Sequence, residues 1–308
     1  PMNKRMQLLI TLIFASAVSY TFAQESFCPG GSNPDSNVLF CDSFESQGAS
    51  ASEPAMSQYE SFNPTIGQFN RVATESIDGG YSLQYIWKKK GDVNGGFFQL
   101  NFGANPFGSN ITPNIHYREI YWRLYVKLPQ NFVGYPVKLT RARGFANSSG
   151  ADSILAHVWA DGASPQFLKI DPATGIKNNQ LVTTKWNDQA NFKWLGSVKD
   201  ANPFPKGQWV CLEAHVKLND AGLSNGVFDL SINDQVVATR TGLNWVGTWS
   251  NYGINAILFS NYWNGGASAD NQMRYLDAIV VSKAKIGCIS GTAALRPDAP
   301  TNMSAILP

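Results

Sequence analysis

Apolar and polar residues alternate most sharply over Tyr117–Leu128, YREIYWRLYVKL. Ile120, Trp122, Leu124, Val126 and Leu128 fall on one parity, and Tyr117, Glu119, Tyr121, Arg123, Tyr125 and Lys127 on the other. Period two with one apolar face is the signature of a β-strand lying on a core. The pattern recurs in Trp209–Leu218, where Val210, Leu212, Ala214, Val216 and Leu218 alternate with Trp209, Cys211, Glu213, His215 and Lys217. It recurs again in Ser153–Asp161, with Ile154, Ala156, Val158 and Ala160 on one face and Leu155, His157, Trp159 and Asp161 on the other. Further strands are predicted over Val38–Glu45, Asn70–Thr74, Ser82–Trp87, Gly95–Phe102, Val137–Ala142, Ile254–Tyr262 and Arg274–Ser282. Gly226–Ile232 and Gln235–Thr241 form a hairpin across Asn233-Asp234, a turn pair tolerant of positive φ. Phe167–Ile170 and Leu181–Trp186 read either as a hairpin or as parts of a long loop. No segment sustains a helical period, and no internal repeat is visible. Many short strands joined by polar turns predict an all-β antiparallel β-sandwich.

Composition narrows the class. Of the 308 residues 44% are hydrophobic, 12% aromatic and only 15% charged, so a packed core is affordable and disorder is not indicated. Lys4 and Arg5 precede the apolar run Leu8–Val18, and Thr21-Phe22-Ala23 ends in a small residue. This predicts a signal peptide over 1–23, too short in its apolar run to span a bilayer, and hence a secreted protein. Removing Lys4 and Arg5 brings the formal charge of +2 to about zero. A phosphate-bound partner usually needs a basic excess, so nucleic acid is not expected. Residues 24–37 read as a leader, 38–290 as one β domain, and 291–308 as a proline-rich tail or linker. The four cysteines, Cys28, Cys41, Cys211 and Cys288, favour disulfides in an exported chain. The short Gly/Pro loop between them favours Cys28–Cys41, leaving Cys211–Cys288, although three connectivities are open.

The polar face of Tyr117–Leu128 interleaves tyrosines with two cations and a carboxylate. Flat aromatic surfaces beside hydrogen-bonding charges suit a sugar ring; an ordinary outer sheet face with snorkelling side chains is the competing reading. His157 shares a parity with Trp159, and His215 with Glu213, pairs that suit either a base with its orienting group or a structural contact. Trp159, Trp245, Trp249, Tyr262 and Trp263 are candidate sugar platforms. No Gly-x-Ser-x-Gly elbow occurs, which argues against a serine hydrolase.

Four stretches together resemble the concanavalin A-like jelly-roll proteins of the polysaccharide-lyase type, which include glucuronan and alginate lyases. They are Phe40-Cys41-Asp42-Ser43-Phe44-Glu45, Gly207-Gln208-Trp209-Val210-Cys211-Leu212-Glu213, Tyr262-Trp263-Asn264-Gly265-Gly266 and Arg274-Tyr275-Leu276-Asp277. The resemblance covers about residues 38–288 and implies two stacked antiparallel sheets whose concave face is a glycan groove. It also implies a structural calcium site at Glu45 and Asp277, completed by the turn from Asp78 to Ser82, since calcium takes several hard oxygens.

A β-eliminating lyase needs a group that neutralises the uronate carboxylate, a base for the C5 proton and an acid for the leaving oxygen. Strand parity assigns these to Arg123, His157 and Tyr121, with Glu119, Trp159, Glu213, His215 and Trp263 as substrate contacts. Leu155 departs from the resemblance, since glutamine precedes the histidine by two in related alginate lyases. The expected function is therefore a secreted, monomeric polysaccharide lyase acting on a uronic-acid-containing glycan. The alternatives are a non-catalytic glycan-binding module and an adhesive module beside another domain.

Overall fold

The computed structural model describes residues 27–289 apart from 31–33, 64–68, 78–79, 90–93, 134–137, 163–164, 264–267 and 269. The expected signal peptide, the tail from 291 and Asp78 lie outside the described residues. Among the described residues eighteen strands follow in chain order: β1 (Val38–Asp42), β2 (Ser61–Asn63), β3 (Phe69–Val72), β4 (Ser82–Trp87), β5 (Asn94–Asn101), β6 (Glu119–Lys127), β7 (Lys138–Phe145), β8 (Asp152–Asp161), β9 (Phe167–Thr174), β10 (Ile176–Lys177), β11 (Gln180–Leu181), β12 (Lys193–Trp194), β13 (Val198–Lys199), β14 (Trp209–Lys217), β15 (Gly226–Ile232), β16 (Gln235–Leu243), β17 (Ala256–Tyr262) and β18 (Gln272–Ser282). No helix occurs among the described residues, and so none there is long and apolar enough to cross a membrane.

Two eight-stranded sheets stack face to face. The first runs β16-β15-β14-β6-β18-β4-β3 with β1 also on β18; the second runs β12-β9-β8-β7-β17-β5-β2 with β13 also on β9. Ile120, Trp122 and Leu124 of the first sheet and Ile154, Ala156 and Val158 of the second meet in one core cluster, each at most 1% exposed. Burying a large aliphatic or aromatic side chain is worth roughly 1.5–3 kcal/mol, so this shared face sets the inward parity of both sheets. The opposite parities must then face outward on opposite sides of the sandwich. The β15–β16 hairpin turns at Asn233 and Asp234, with φ of 49° and 63°. Those are the two left-handed residues that a two-residue turn between twisted strands requires.

Both disulfides form in the favoured pairing, Cys28–Cys41 and Cys211–Cys288, and fit an oxidising compartment. The second fastens the segment after β18 across the outer face of β14 and β6. There Glu213 accepts the backbone N–H groups of Ile286 (3.0 Å) and Gly287 (2.7 Å), and Tyr125 Oη accepts that of Ile289 (2.6 Å).

Candidate active site

That strap changes the reading of the Tyr117–Leu128 polar face. Arg123 is 2% exposed and donates to the carbonyls of Gly287 (3.0 Å) and Phe27. Its guanidinium clamps the two ends of the domain, and Glu213 caps the same strap. Nearby, His215 lies between Glu119 Oε1 (2.9 Å) and Asp229 Oδ2 (3.1 Å) and stacks on Tyr121 with ring centroids 4.1 Å apart. Burial and then the charge of Glu119 push the Tyr121 hydroxyl up to about 12. Tyr121, Glu119, His215 and Asp229 thus contact one another on the outside of the first sheet, beside the strap that Arg123 and Glu213 hold. His157, from the second sheet, faces the other side of the sandwich. The structure thus corrects the expected union of Arg123 and Tyr121 with His157: the core lies between them. Trp263 is corrected too, being 4% exposed and packed edge-on against Trp87 at 5.1 Å. Trp245 is fully buried in the same core.

The outer face of the second sheet instead carries a groove of about 730 Å³. Strand register lays its floor out in rungs. One rung reads Asp171, His157, Arg141, Leu258 and Gln99 across β9, β8, β7, β17 and β5. The adjacent rung begins Lys169, Trp159 and Lys138. On the far side of His157, the rung of Ala173, Leu155 and Arg143 is roofed by the loop between β11 and β12. Phe192 packs on Leu155 and Ala173, and Trp186 packs on Arg143. Tyr262, 36% exposed at the end of β17, closes the rim, with Lys138 Nζ 4.9 Å from its ring centre.

A β-bulge explains why Lys138 and Arg141 share this face. The β7–β8 register shifts between Lys138 and Thr140, so Lys138 pairs with Trp159 and Arg141 with His157. One extra residue in a strand reverses the parity beyond it. Residues three apart, which strict alternation sends to opposite faces, therefore both reach the groove.

The electrostatics are those of an anion site. Arg141 is 2% exposed, and its Nε and Nη1 have no hydrogen-bond partner. Burial, with Arg143 adding repulsion, pushes its guanidinium well below the ordinary arginine value. Arg143 differs: Asp152 holds it through Nε–Oδ1 at 2.8 Å and Nη2–Oδ2 at 2.5 Å. A buried cation with idle donors is costly unless an anion arrives to use them. Burial and then the charges of Arg141 and Lys138 hold His157 well below its usual range, so the imidazole is neutral at pH 7 and able to accept a proton. Lys138 is pushed down to about 8 by burial and by the neighbouring arginines. It is charged below that pH and neutral above it. For an anionic ligand, Kd is expected to rise on the order of tenfold, one charged hydrogen bond, as pH passes upward through about 8. Binding titrations on Lys138→Gln check this: the variant should start from the raised Kd and lose the step.

His157 and Trp159 are thus the expected residues that the groove contains. Lys138, Arg141 and Trp186 were not singled out from the sequence, and Tyr262 only as a sugar platform. The expected calcium ligands converge on one turn. Glu45 Oε1 accepts Tyr81 N–H (2.7 Å), Asp277 Oδ2 accepts Ile77 N–H (2.9 Å), and Ser82 Oγ donates to the Glu75 carbonyl (2.5 Å). Two carboxylates at one turn fit calcium in ligand type. Yet no group of three or more His, Cys, Asp or Glu able to hold a metal stands among the described residues.

Two stacked antiparallel sheets with a cationic, aromatic groove across one of them define an all-β sandwich of the jelly-roll kind. The polysaccharide lyase 14 family model matches residues 157–275, from His157 into the start of β18. Among solved structures, the PL-14 alginate lyase of Aplysia kurodai superposes with a TM-score of 0.59 at 12% identity, over 80% of this chain and 99% of that one. The endo-beta-1,4-glucuronan lyase of Trichoderma reesei gives 0.54 at 10%, over 80% and 96%. Alginate lyase vAL-1 from Chlorella virus gives 0.51 at 13%, over 73% and 100%. At these identities the likeness carries the fold. No curated protein sequence matches.

Proposed function

We propose that the groove on the second sheet binds a uronic-acid-containing polysaccharide and cleaves it by β-elimination. The observation that carries this reading is Arg141, a buried guanidinium with idle donors directly across from a neutral histidine. A uronate carboxylate seated on Arg141 loses its negative charge to the guanidinium, which acidifies the C5 proton. His157 takes that proton, the electron pair forms the C4–C5 double bond, and the C4–O bond breaks. Tyr262 donates its hydroxyl proton to the departing oxygen. Lys138, beside Tyr262, holds a second carboxylate. The lyase 14 match and the lyase folds around it support the reaction class, and the groove is complete within one chain, in keeping with a monomer.

The test is ultraviolet absorbance of the conjugated product while the purified protein meets a panel of polyuronates. A rise that vanishes in His157→Ala supports the lyase. Retention on a glycan in affinity gels without any rise favours the binding module, for which Trp159 in the groove provides a platform. Secretion is proposed to follow from the 1–23 segment, and would be checked by the N-terminal sequence of the exported protein.

Calcium is proposed as a structural ion held by Glu45 and Asp277, with no part in the chemistry. A chelator is then expected to lower stability by about 2–3 kcal/mol relative to calcium at a hundredfold its Kd. Thermal melts with and without the ion measure it; identical curves would remove calcium from the account.

A further inference from the structure

Trp186 stands where no sequence pattern or assigned role accounts for it. It is a large apolar side chain left 37% exposed on the loop that walls the groove. The guanidinium of Arg143 lies 3.6 Å from its ring centre, a close cation–π contact. Phe145 stacks against it at 5.7 Å, and Phe97 lies tilted at 6.4 Å. The ring is therefore held from below while part of it faces the groove.

The support beneath is unusually complete. The Asp152 carboxylate chelates Arg143, and the Asp152 carbonyl accepts the Thr183 hydroxyl at 2.7 Å, fastening the base of the loop. Beyond Trp186, the Asp188 carboxylate accepts from Thr184 N (2.8 Å), Thr184 Oγ1 (3.0 Å) and Asn191 Nδ2 (2.9 Å). A loop that served only to cover Arg143 would not need its indole fixed and open to the groove.

We propose that Trp186 is a sugar-stacking platform, forming a binding subsite beside the uronate seat at Arg141, and that Arg143 with Asp152 is its positioning pair. Arg141 itself lies 5.7 Å from the same ring, so a pyranose on Trp186 neighbours the sugar whose carboxylate Arg141 takes. The ligand class is a pyranose presenting an apolar C–H face, acidic or neutral, because the platform reads the ring and not its charge. This rests on the groove being a glycan site.

The experiment compares wild type, Trp186→Ala and Trp186→Phe on uronate oligosaccharides of increasing length. Elimination rate is followed together with intrinsic tryptophan fluorescence, which reports binding whether or not cleavage occurs. Trp186→Ala is expected to raise KM and Kd about tenfold for long oligomers, one aromatic contact. The shortest bound oligomer and kcat should be unchanged to within about twofold, and Trp186→Phe should recover most of the loss. Equal affinity of wild type and Trp186→Ala at every length overturns the platform while leaving the lyase reading intact. So does a loss that is uniform over length and accompanied by a lower Tm, which would make the residue a packing element. Absence of any glycan binding by wild type overturns both.

Discussion

Arg141→Met is expected to lower kcat/KM on a polyuronate by about 10²–10³-fold, the cost of removing one preorganised charge-stabilising donor, and to raise thermal stability. The two effects have one cause. Arg141 is buried with two idle guanidinium nitrogens, and Arg143 repels it. Without an anion its charge opposes the fold; in the proposed elimination, with a carboxylate seated, the same charge would stabilise the carbanion-like transition state. Replacing a buried charge with an apolar side chain of similar length commonly stabilises by about 1–4 kcal/mol. Kinetics and a thermal melt on one preparation test both halves. A variant that stays active, or that loses activity by unfolding, would remove Arg141 from the mechanism. Arg143→Met offers the contrast: it strands the buried Asp152 carboxylate and is expected to destabilise the fold by about 3–5 kcal/mol.

His157→Ala is expected to reduce kcat by about 10²–10⁴-fold, the usual contribution of a positioned base, with little change in Kd for an oligosaccharide. Its imidazole is held neutral by burial and by four surrounding cations, Arg141, Lys138, Arg143 and Lys169. The rate limb set by this base therefore lies well below pH 6.5, and kcat should be flat through neutrality. Stability carries a linked signature. The folded-state value is below the unfolded one, so the unfolded chain takes up the proton first, and stability falls as pH drops below about 6.5. In His157→Ala that part of the acid-side loss should disappear. A kcat limb near pH 8 that survives in His157→Ala and vanishes in Lys138→Gln would instead make Lys138 the base.

Much of the architecture was legible in the sequence. The parity of β6, β8 and β14 named the core face correctly, because burial of Ile120, Trp122, Ile154 and their neighbours outweighs every other local preference. The Asn233-Asp234 turn and both disulfide pairings were readable for similarly local reasons. Of the site, His157 and Trp159 were legible because β8 is regular across the groove floor.

Lys138 and Arg141 were not. Their spacing of three contradicts strand alternation, and only the β7 bulge, visible in the pairing with β8, restores them to one face. Trp186 was hidden differently: it sits in a loop whose path is set by Asp152 and Asp188, not by any period. Arg123 and Tyr121 were drawn in because their pattern suits sugar as well as it suits a buried clamp.

By itself the sequence determined the sandwich, its inward faces and its covalent fastenings, since these follow from period, turn chemistry and burial within single strands. Only the tertiary structure decided which outward face is open. That choice depends on where the chain's ends come to rest, and the Cys211–Cys288 strap covers the first sheet while the second keeps its groove. The contact of Arg123 with the Gly287 carbonyl, 164 positions away, leaves no trace in a local pattern.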